Sequence, residues 1–280
     1  MRYIAIPIKT KYWKPGDDYI DIITNSIIDK IEDGDILTLS EKAISVAKGS
    51  LIDESKIKPS LLAKFLSHFW MRYIWGYILA KICHLKLKNV YRLRRYPKKE
   101  GAAHKQVALM YAGFLQSLRH GSEGGIDVSN LPFSYACLPL EDPYLELEKI
   151  EFQIQRITRK KVSIMIVDTD MTYSWYNLHF TPLPRPMKGI ISKGAFINYI
   201  IGRSLRLKYR ATPLAVSSNM DLDEALDISQ IAHKVRRSGA GRTAWDVAEK
   251  FGVDLTKVTW GMLDRVEHRP IVLIRPSKED

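Results

Sequence analysis

Cysteine is scarce in this chain. There are two, Cys83 and Cys137, far apart and without a CxxC spacing. That excludes a disulfide framework and a cysteine-rich zinc module, and it fits a reducing cytosol. Acidic residues are in deficit: 31 Asp and Glu against 43 Lys and Arg leave a net charge of +12. The excess favours anionic partners such as nucleotides, phosphorylated metabolites, nucleic acid or anionic lipid, without choosing among them. No unbroken apolar run is long enough to span a membrane. The most hydrophobic stretch, Phe65 to Cys83, follows Lys64 and is interrupted by His68, Arg72 and Lys81, whereas a spanning helix needs ~20 mostly apolar residues. It reads as a core helix, with an interfacial helix as the alternative. The opening MRYIAIPIKTKYW has no apolar segment of a secretory signal. No GxGxxG, GxSxG or Walker lysine motif occurs, and the histidines form no HExxH or HxxxH pair, which argues against catalytic zinc. Repeats and low-complexity tracts are absent too.

What is present is a chain of 280 residues, 46% of them hydrophobic, enough to bury a large core. Tyr3 to Ile8 reads as a strand. Ile20, Ile23, Ile27 and Ile31 recur at helical spacing, and Asp35 to Leu39 forms a second strand. Residues 42–49 are β-prone and end in glycine. The connector 84–106 holds seven cations and no acid in LKLKNVYRLRRYPKK and reads as a loop or weakly ordered arm, while 107–118 is ambiguous. Leu145 to Lys160 is an amphipathic helix. VSIMIV at 162–167 is a buried strand that stops at Asp168. Asp221 with Glu224 makes a capping-box start for a helix reaching about Arg237. SGAGR follows, then a short helix capped by Thr243, and PIVLIR is a last strand. Strands and helices alternate without a regular βαβ rhythm, so the class is α+β.

Four places carry chemistry. In GGIDVSN at 124–130, two glycines let the backbone approach a ligand, Asp127 offers hard oxygens, and Ser129 and Asn130 offer small donors and acceptors. The alternative is an Asx turn bonded to its own backbone. Asp168-Thr169-Asp170 puts a carboxylate and a hydroxyl where open sheets bind ligands, a donor pair that suits Mg²⁺ or Mn²⁺ with phosphate oxygens, or else it is a simple strand-end cap. SGAGRT offers N–H groups, Arg242 and a helix N-terminus to an anion, or is an ordinary inter-helix loop. The connector 86–99, with Tyr91 and Tyr96 interleaved, can track a phosphate backbone, or is a solvated loop.

In order along the chain, IPIKT…KPGDDYIDII, EDGDILTLSEKAISVAKG, RHGSEGGIDVSN, LPLEDP, VSIMIVDTD and WGMLDRVEHRPIVLIRP resemble the coenzyme F-420-0:L-glutamate ligase family, the gamma-glutamyl ligases of deazaflavin coenzyme synthesis. The resemblance implies one ligase-like domain over 1–280 with mixed sheets and packed helices, and a helical insertion at 221–252. It implies a GTP-dependent amide ligase acting on a small anionic substrate as a homodimer; the expected setting is the cytoplasm, without a membrane partner and with nucleic acid the less favoured one. Asp127, Asp168 and Thr169 match metal ligands for Mg²⁺ or Mn²⁺. Asn130, Glu41 and Lys42 match nucleotide contacts, and Ile6, Pro7, Ile8 and Lys9 match a turn around the nucleotide. Three positions depart from the pattern: Val46 stands at a lysine, Met262 at a second metal ligand, and DTDMTYSW lacks the arginines. Arg242 is the cation expected to face phosphate in their place, on a loop folded back to the site. The rival readings are a non-catalytic nucleotide- or metal-binding homologue and a nucleic-acid binder.

Overall fold

Period-2 patterns put the β-branched runs into one mixed sheet. The computed structural model describes residues 3–236 and 239–277. The chain runs β1 (Tyr3–Thr10), α1 (Tyr19–Ile27), β2 (Ile36–Ser40), α2 (Glu41–Ala47) and β3 (Leu51–Asp53). A continuous helix follows, α-helical at Leu61–Phe65 (α3), π-helical at Leu66–Leu79 and α-helical again at Ala80–Ile82 (α4). Next come α5 (Leu87–Arg94), α6 (Lys99–Tyr111), α7 (Phe114–Ser117), β4 (Tyr135–Cys137), α8 (Pro143–Thr158), β5 (Ser163–Trp175) and β6 (Leu178–Phe180). The chain closes with α9 (Phe196–Ser204), β7 (Lys208–Val216), α10 (Leu222–Arg236), α11 (Ala244–Phe251), α12 (Trp260–Leu263) and β8 (His268–Pro276). The fold is α+β.

The sheet order is β1-β8-β2-β5-β6, with β7 also paired to β5. β2 and β5 are parallel and the other pairs antiparallel. β3 and β4 form a separate two-stranded sheet. Alternation sorts the large sheet into two faces. Leu37, Leu39, Ile164, Ile166, Ile271 and Leu273 meet Ile23 and Ile27 of α1, Ile44 of α2 and Ile150 and Ile154 of α8. Ile36, Met165, Val167, Val272 and Ile274 meet Ala225, Leu226, Ile228 and Ala232 of α10. Both faces are covered, which is why the central strands read as unbroken apolar runs.

Four expectations are corrected. Most of the 42–49 stretch is helical, not extended: α2 (Glu41–Ala47) buries Ala43, Ile44, Val46 and Ala47, so tertiary burial overrides β-propensity. The basic connector is two helices. Arg92 pairs with Asp246 at 2.9 Å, and Arg94 lies 4.2 Å over the Tyr77 ring, so the cations discharge on partners remote in sequence. β5 does not stop at Asp168 but continues to Trp175, with its register against β7 shifting between Asp168 and Met171. Ile6–Pro7–Ile8 is no turn: the three residues pair with Leu273, Val272 and Ile271 of β8. Because β1 is an edge strand, the missing N–H of Pro7 is tolerated.

The 61–82 helix buries Leu66, Met71, Trp75 and Ala80, while Phe65, Phe69, Tyr73 and Tyr77 stack along its exposed side. Among the described residues no helix is long and apolar enough to cross a membrane.

Candidate functional site

Loop 124–130 is shaped by its glycines. Gly125 has φ +93°, and a Cβ there would come 3.1 Å from Pro139, so the backbone passes where a larger residue would be strained. Asp127 exchanges backbone bonds with Cys137 (3.1 and 2.9 Å), pinning the loop to β4. Its Oδ1 accepts from the Ser129 N–H at 2.7 Å, so the Asx turn is real. Its Oδ2 lies 2.9 Å from Lys42 Nζ. Lys42 also donates to the Ser129 carbonyl and, at 3.3 Å, to its hydroxyl. Lys42 and Glu41 open α2, directly after β2. The Glu41 carboxylate is buried and accepts from the Leu140 N–H at 2.7 Å and the Ser45 hydroxyl at 2.9 Å.

Asp168 sits at the β5 irregularity, its Oδ1 accepting from the Asp170 N–H at 2.7 Å. Asp170 itself faces Arg119, at 2.6 and 3.0 Å, and Thr169 is exposed. Burial raises Asp168 well above the usual carboxylate range, and the charges of Asp170, Glu41 and Asp127 push the same way. Burial likewise holds Glu41 up at about 7, with Asp127 adding to it and the bonds from Leu140 and Ser45 opposing. Glu41, Asp127 and Asp168 thus share one electrostatic neighbourhood, in which their charges oppose one another and Lys42 is the cation bonded to Asp127. Desolvated carboxylates of this kind call for a further cation, and their hard oxygens are the donors that Mg²⁺ or Mn²⁺ prefer. The donor chemistry fits a divalent ion, although among the described residues no three His, Cys, Asp or Glu stand as a ready chelate. Lys42 holds one of the Asp127 oxygens.

Asn130 (φ +51°) ties this loop to the chain's later part. Its Oδ1 accepts from the Ala240 N–H (2.6 Å) and the Gly241 N–H (3.3 Å), and its Nδ2 donates to the Gly241 carbonyl at 2.6 Å. The glycine loop therefore folds back onto the 124–130 loop, held by both ends of the Asn130 amide. Ser238 lies outside the described residues. Arg242 is exposed. Thr243 caps α11, accepting from the Asp246 N–H. Ile6, Pro7 and Ile8 lie in the β1 ladder, with exposed Lys9 at its irregularity before Thr10.

Three residues were not singled out by sequence. The Tyr12 hydroxyl donates to the Asn130 carbonyl at 2.7 Å, and its ring packs 4.5 Å from His268. Burial presses His268 down to about 4, with the charges of Arg236 and Lys42 adding to it. Arg236, the last residue of α10, is buried. No motif marks these three; their importance comes from where the fold brings them. Beside the loop, Val128 helps to line a cavity of about 630 Å³ with Tyr96, Trp245, Lys64, Lys98 and Lys99 around it.

The chain is 36% identical to an uncharacterized protein of Methanocaldococcus jannaschii, over 98% of this chain and 97% of that one. It is 24% identical to the coenzyme F420:L-glutamate ligase of Methanopyrus kandleri over 60% of each chain. With the ligase of that name from M. jannaschii it shares 30% identity over 50% of this chain and 49% of the ligase. The chain therefore spans only half to three-fifths of those named ligases. A sequence model described as F420-0:gamma-glutamyl ligase matches residues 7–220, a span that holds the Asp127 loop, α2 and Asp168, and the chain belongs to that family.

Proposed function

We propose that this protein is a glutamate-adding amide ligase that uses GTP and a divalent ion to join L-glutamate to a carboxylate of a small anionic substrate, a coenzyme F420 precursor or a related acid. The observation that carries the reading is the gathering of Glu41, Asp127 and Asp168 with Lys42 at the meeting of α2, the 124–130 loop and β5. Asp127, Asp168 and Thr169 would hold Mg²⁺ or Mn²⁺, which when bound neutralises phosphate charge and lets the carboxylates ionise together. Lys42 would then turn from Asp127 toward phosphate. Asn130 holds the glycine loop as a wall for the nucleotide, while Glu41 and the β1 residues Ile6 to Lys9 complete its surroundings. In the reaction, a substrate carboxylate oxygen attacks the γ-phosphorus and GDP leaves. The glutamate amine then attacks the acyl carbon, phosphate departs, and the amine proton needs an acceptor. The lysine-rimmed cavity beside Val128 has room for the acid.

The test is to incubate the protein with GTP, L-glutamate, Mg²⁺ or Mn²⁺ and candidate acids, measuring GDP release and a glutamate mass increment. Asp168→Asn should lower the rate about a hundredfold or more, as loss of a charge that organises the transition state does. GTP binding without product from any acid would favour a non-catalytic homologue instead.

A further inference from the structure

Three arginines are buried among the described residues: Arg119, Arg210 and Arg236. Two of them are neutralised. Arg119 grips Asp170 through both terminal nitrogens, and Arg210 bonds Asp223 at 2.6 Å and Asp227 at 2.9 Å. Arg236 is 8% exposed, and its Nε and Nη2 have no hydrogen-bond partner. A guanidinium is effectively always charged, so burying its donors unpaired is costly. Arg119 and Arg210 also leave their Nε without a partner, but each has a carboxylate on its terminal nitrogens; Arg236 has no carboxylate among the described residues and leaves Nη2 unbonded as well.

The fold fixes where Arg236 stands. It ends α10, which packs across β7, β8 and β1, beyond the 7–220 span that carries the family match. Three residues on, the Gly239 N–H donates to the Glu267 carbonyl at 3.0 Å. A Cβ on Gly239 would lie 2.9 Å from Asn130 Oδ1, so the backbone just past Arg236 touches the 124–130 loop. On its other side the guanidinium is near enough to Asp168 for their charges to interact, without a hydrogen bond between them. Lys42 and Arg236 both act on His268. Lys42 and Arg236 are thus the two cations whose charges act beside the carboxylates, and Arg236 has no carboxylate partner among the described residues.

We propose that Arg236 binds a phosphoryl oxyanion of the nucleotide, Nε–H and Nη2–H together engaging two phosphate oxygens on the side of the site where Lys42, Asn130 and Asp168 stand. This rests on the nucleotide-dependent reading above and adds a residue and a chemistry to it. The Nε–Nη2 edge presents two parallel donors at the spacing of two oxygens on one phosphorus, a match that lysine lacks. Exposed Arg242, six residues on, has water to satisfy it and needs no ligand. Arg236 therefore takes the role that the sequence assigned to Arg242.

Calorimetric titration of GTP, sodium tripolyphosphate and L-glutamate, each with Mg²⁺, into wild type, Arg236→Met, Arg236→Lys and Arg242→Ala tests the proposal. Arg236→Met should weaken GTP and tripolyphosphate alike, about ten- to a hundredfold. Arg236→Lys should recover part of that loss, and Arg242→Ala should change little. Unliganded Arg236→Met should melt no lower than wild type, because it removes an unpaired buried charge. Equal GTP affinity in wild type and Arg236→Met overturns the Arg236 proposal and leaves the nucleotide reading standing. Tripolyphosphate binding that needs Arg236, without GTP binding, overturns the nucleotide reading and keeps the oxyanion site. Binding of neither overturns both. Loss confined to L-glutamate overturns the phosphoryl assignment. If Arg236→Met fails to fold, unchanged tripolyphosphate affinity in Arg236→Lys overturns the bidentate contact.

Discussion

Glu123 is fully buried, and so is Lys105 beside it. Between them and Glu54 lies His104, its two ring nitrogens 2.7 Å from Glu54 and 2.9 Å from Glu123. With a carboxylate at each nitrogen the ring is an imidazolium. Its proton is held up to about 10 by the Glu54 and Glu123 charges, against the burial that works to lower it. The folded value is raised above the unfolded one, so the contribution to stability is full below about pH 6.5 and is lost as pH climbs toward 10. His104→Gln should cost about 3–5 kcal/mol at pH 6, the usual loss when one partner of a buried charge pair goes. The gap from wild type should shrink between pH 7 and 10. Urea unfolding of both proteins at pH 6 and pH 10 checks this, and a gap constant with pH contradicts the imidazolium. Residue-scale legibility was uneven. Asp127, Asp168, Lys42 and Asn130 stand in local patterns that a sequence displays. His104 and Arg236 become special only when tertiary contacts surround the one and leave the other unpaired, and no spacing encodes that.

Elements with a strong period were read correctly and those with mixed signals were not. Isoleucines every three to four residues gave α1, and Thr243 with Gly252 gave both ends of α11, capped by the Thr243 hydroxyl and closed at φ +65°. The connector 84–106 failed because its cations hid two short apolar faces: Val90 and Leu93 of α5 join Met71 and Trp75 of the long helix. Helix α9 shows how closely such elements meet the sheet. A Cβ on its Gly202 would lie 2.2 Å from the ring of Tyr173 in β5. That ring is fully buried, so it cannot step aside. Gly202→Ala should therefore destabilise by about 1–3 kcal/mol through overpacking, although alanine is the better helix former. A lowered urea midpoint at unchanged slope would show it; a raised midpoint would mean that α9 can shift outward.

At the scale of the whole molecule, the chain's end is its centre. β8 lies between β1 and β2, so the two earliest strands do not touch except through the last. Ile271, Val272, Leu273 and Ile274 are each 0% exposed and serve both layers of the core. Thr38 donates to the Val272 carbonyl at 3.0 Å, and Arg275 bonds Asp35 at 2.8 and 2.9 Å, adding polar ties to the same strand. Burying four such side chains contributes roughly 1.5–3 kcal/mol each, which together rivals the about 5–15 kcal/mol by which a domain is stable. The position of PIVLIR in the middle of the sheet was not legible. An apolar run announces a buried strand, but its neighbours are chosen by contacts more than two hundred residues apart, such as Tyr3 with Pro276. Such long-range pairing also makes folding wait for the C-terminus. A chain ending at Glu267 keeps every residue proposed to hold the nucleotide or metal, Arg236 included, and loses His268 of the site's surroundings; it should not fold, because β1 loses its one sheet partner among the described residues and β2 keeps one. Circular dichroism during heating decides it: the shortened chain should show no cooperative transition and no nucleotide-dependent stabilisation, whereas a sharp transition near that of the full chain would make β8 an addition to a core that stands without it.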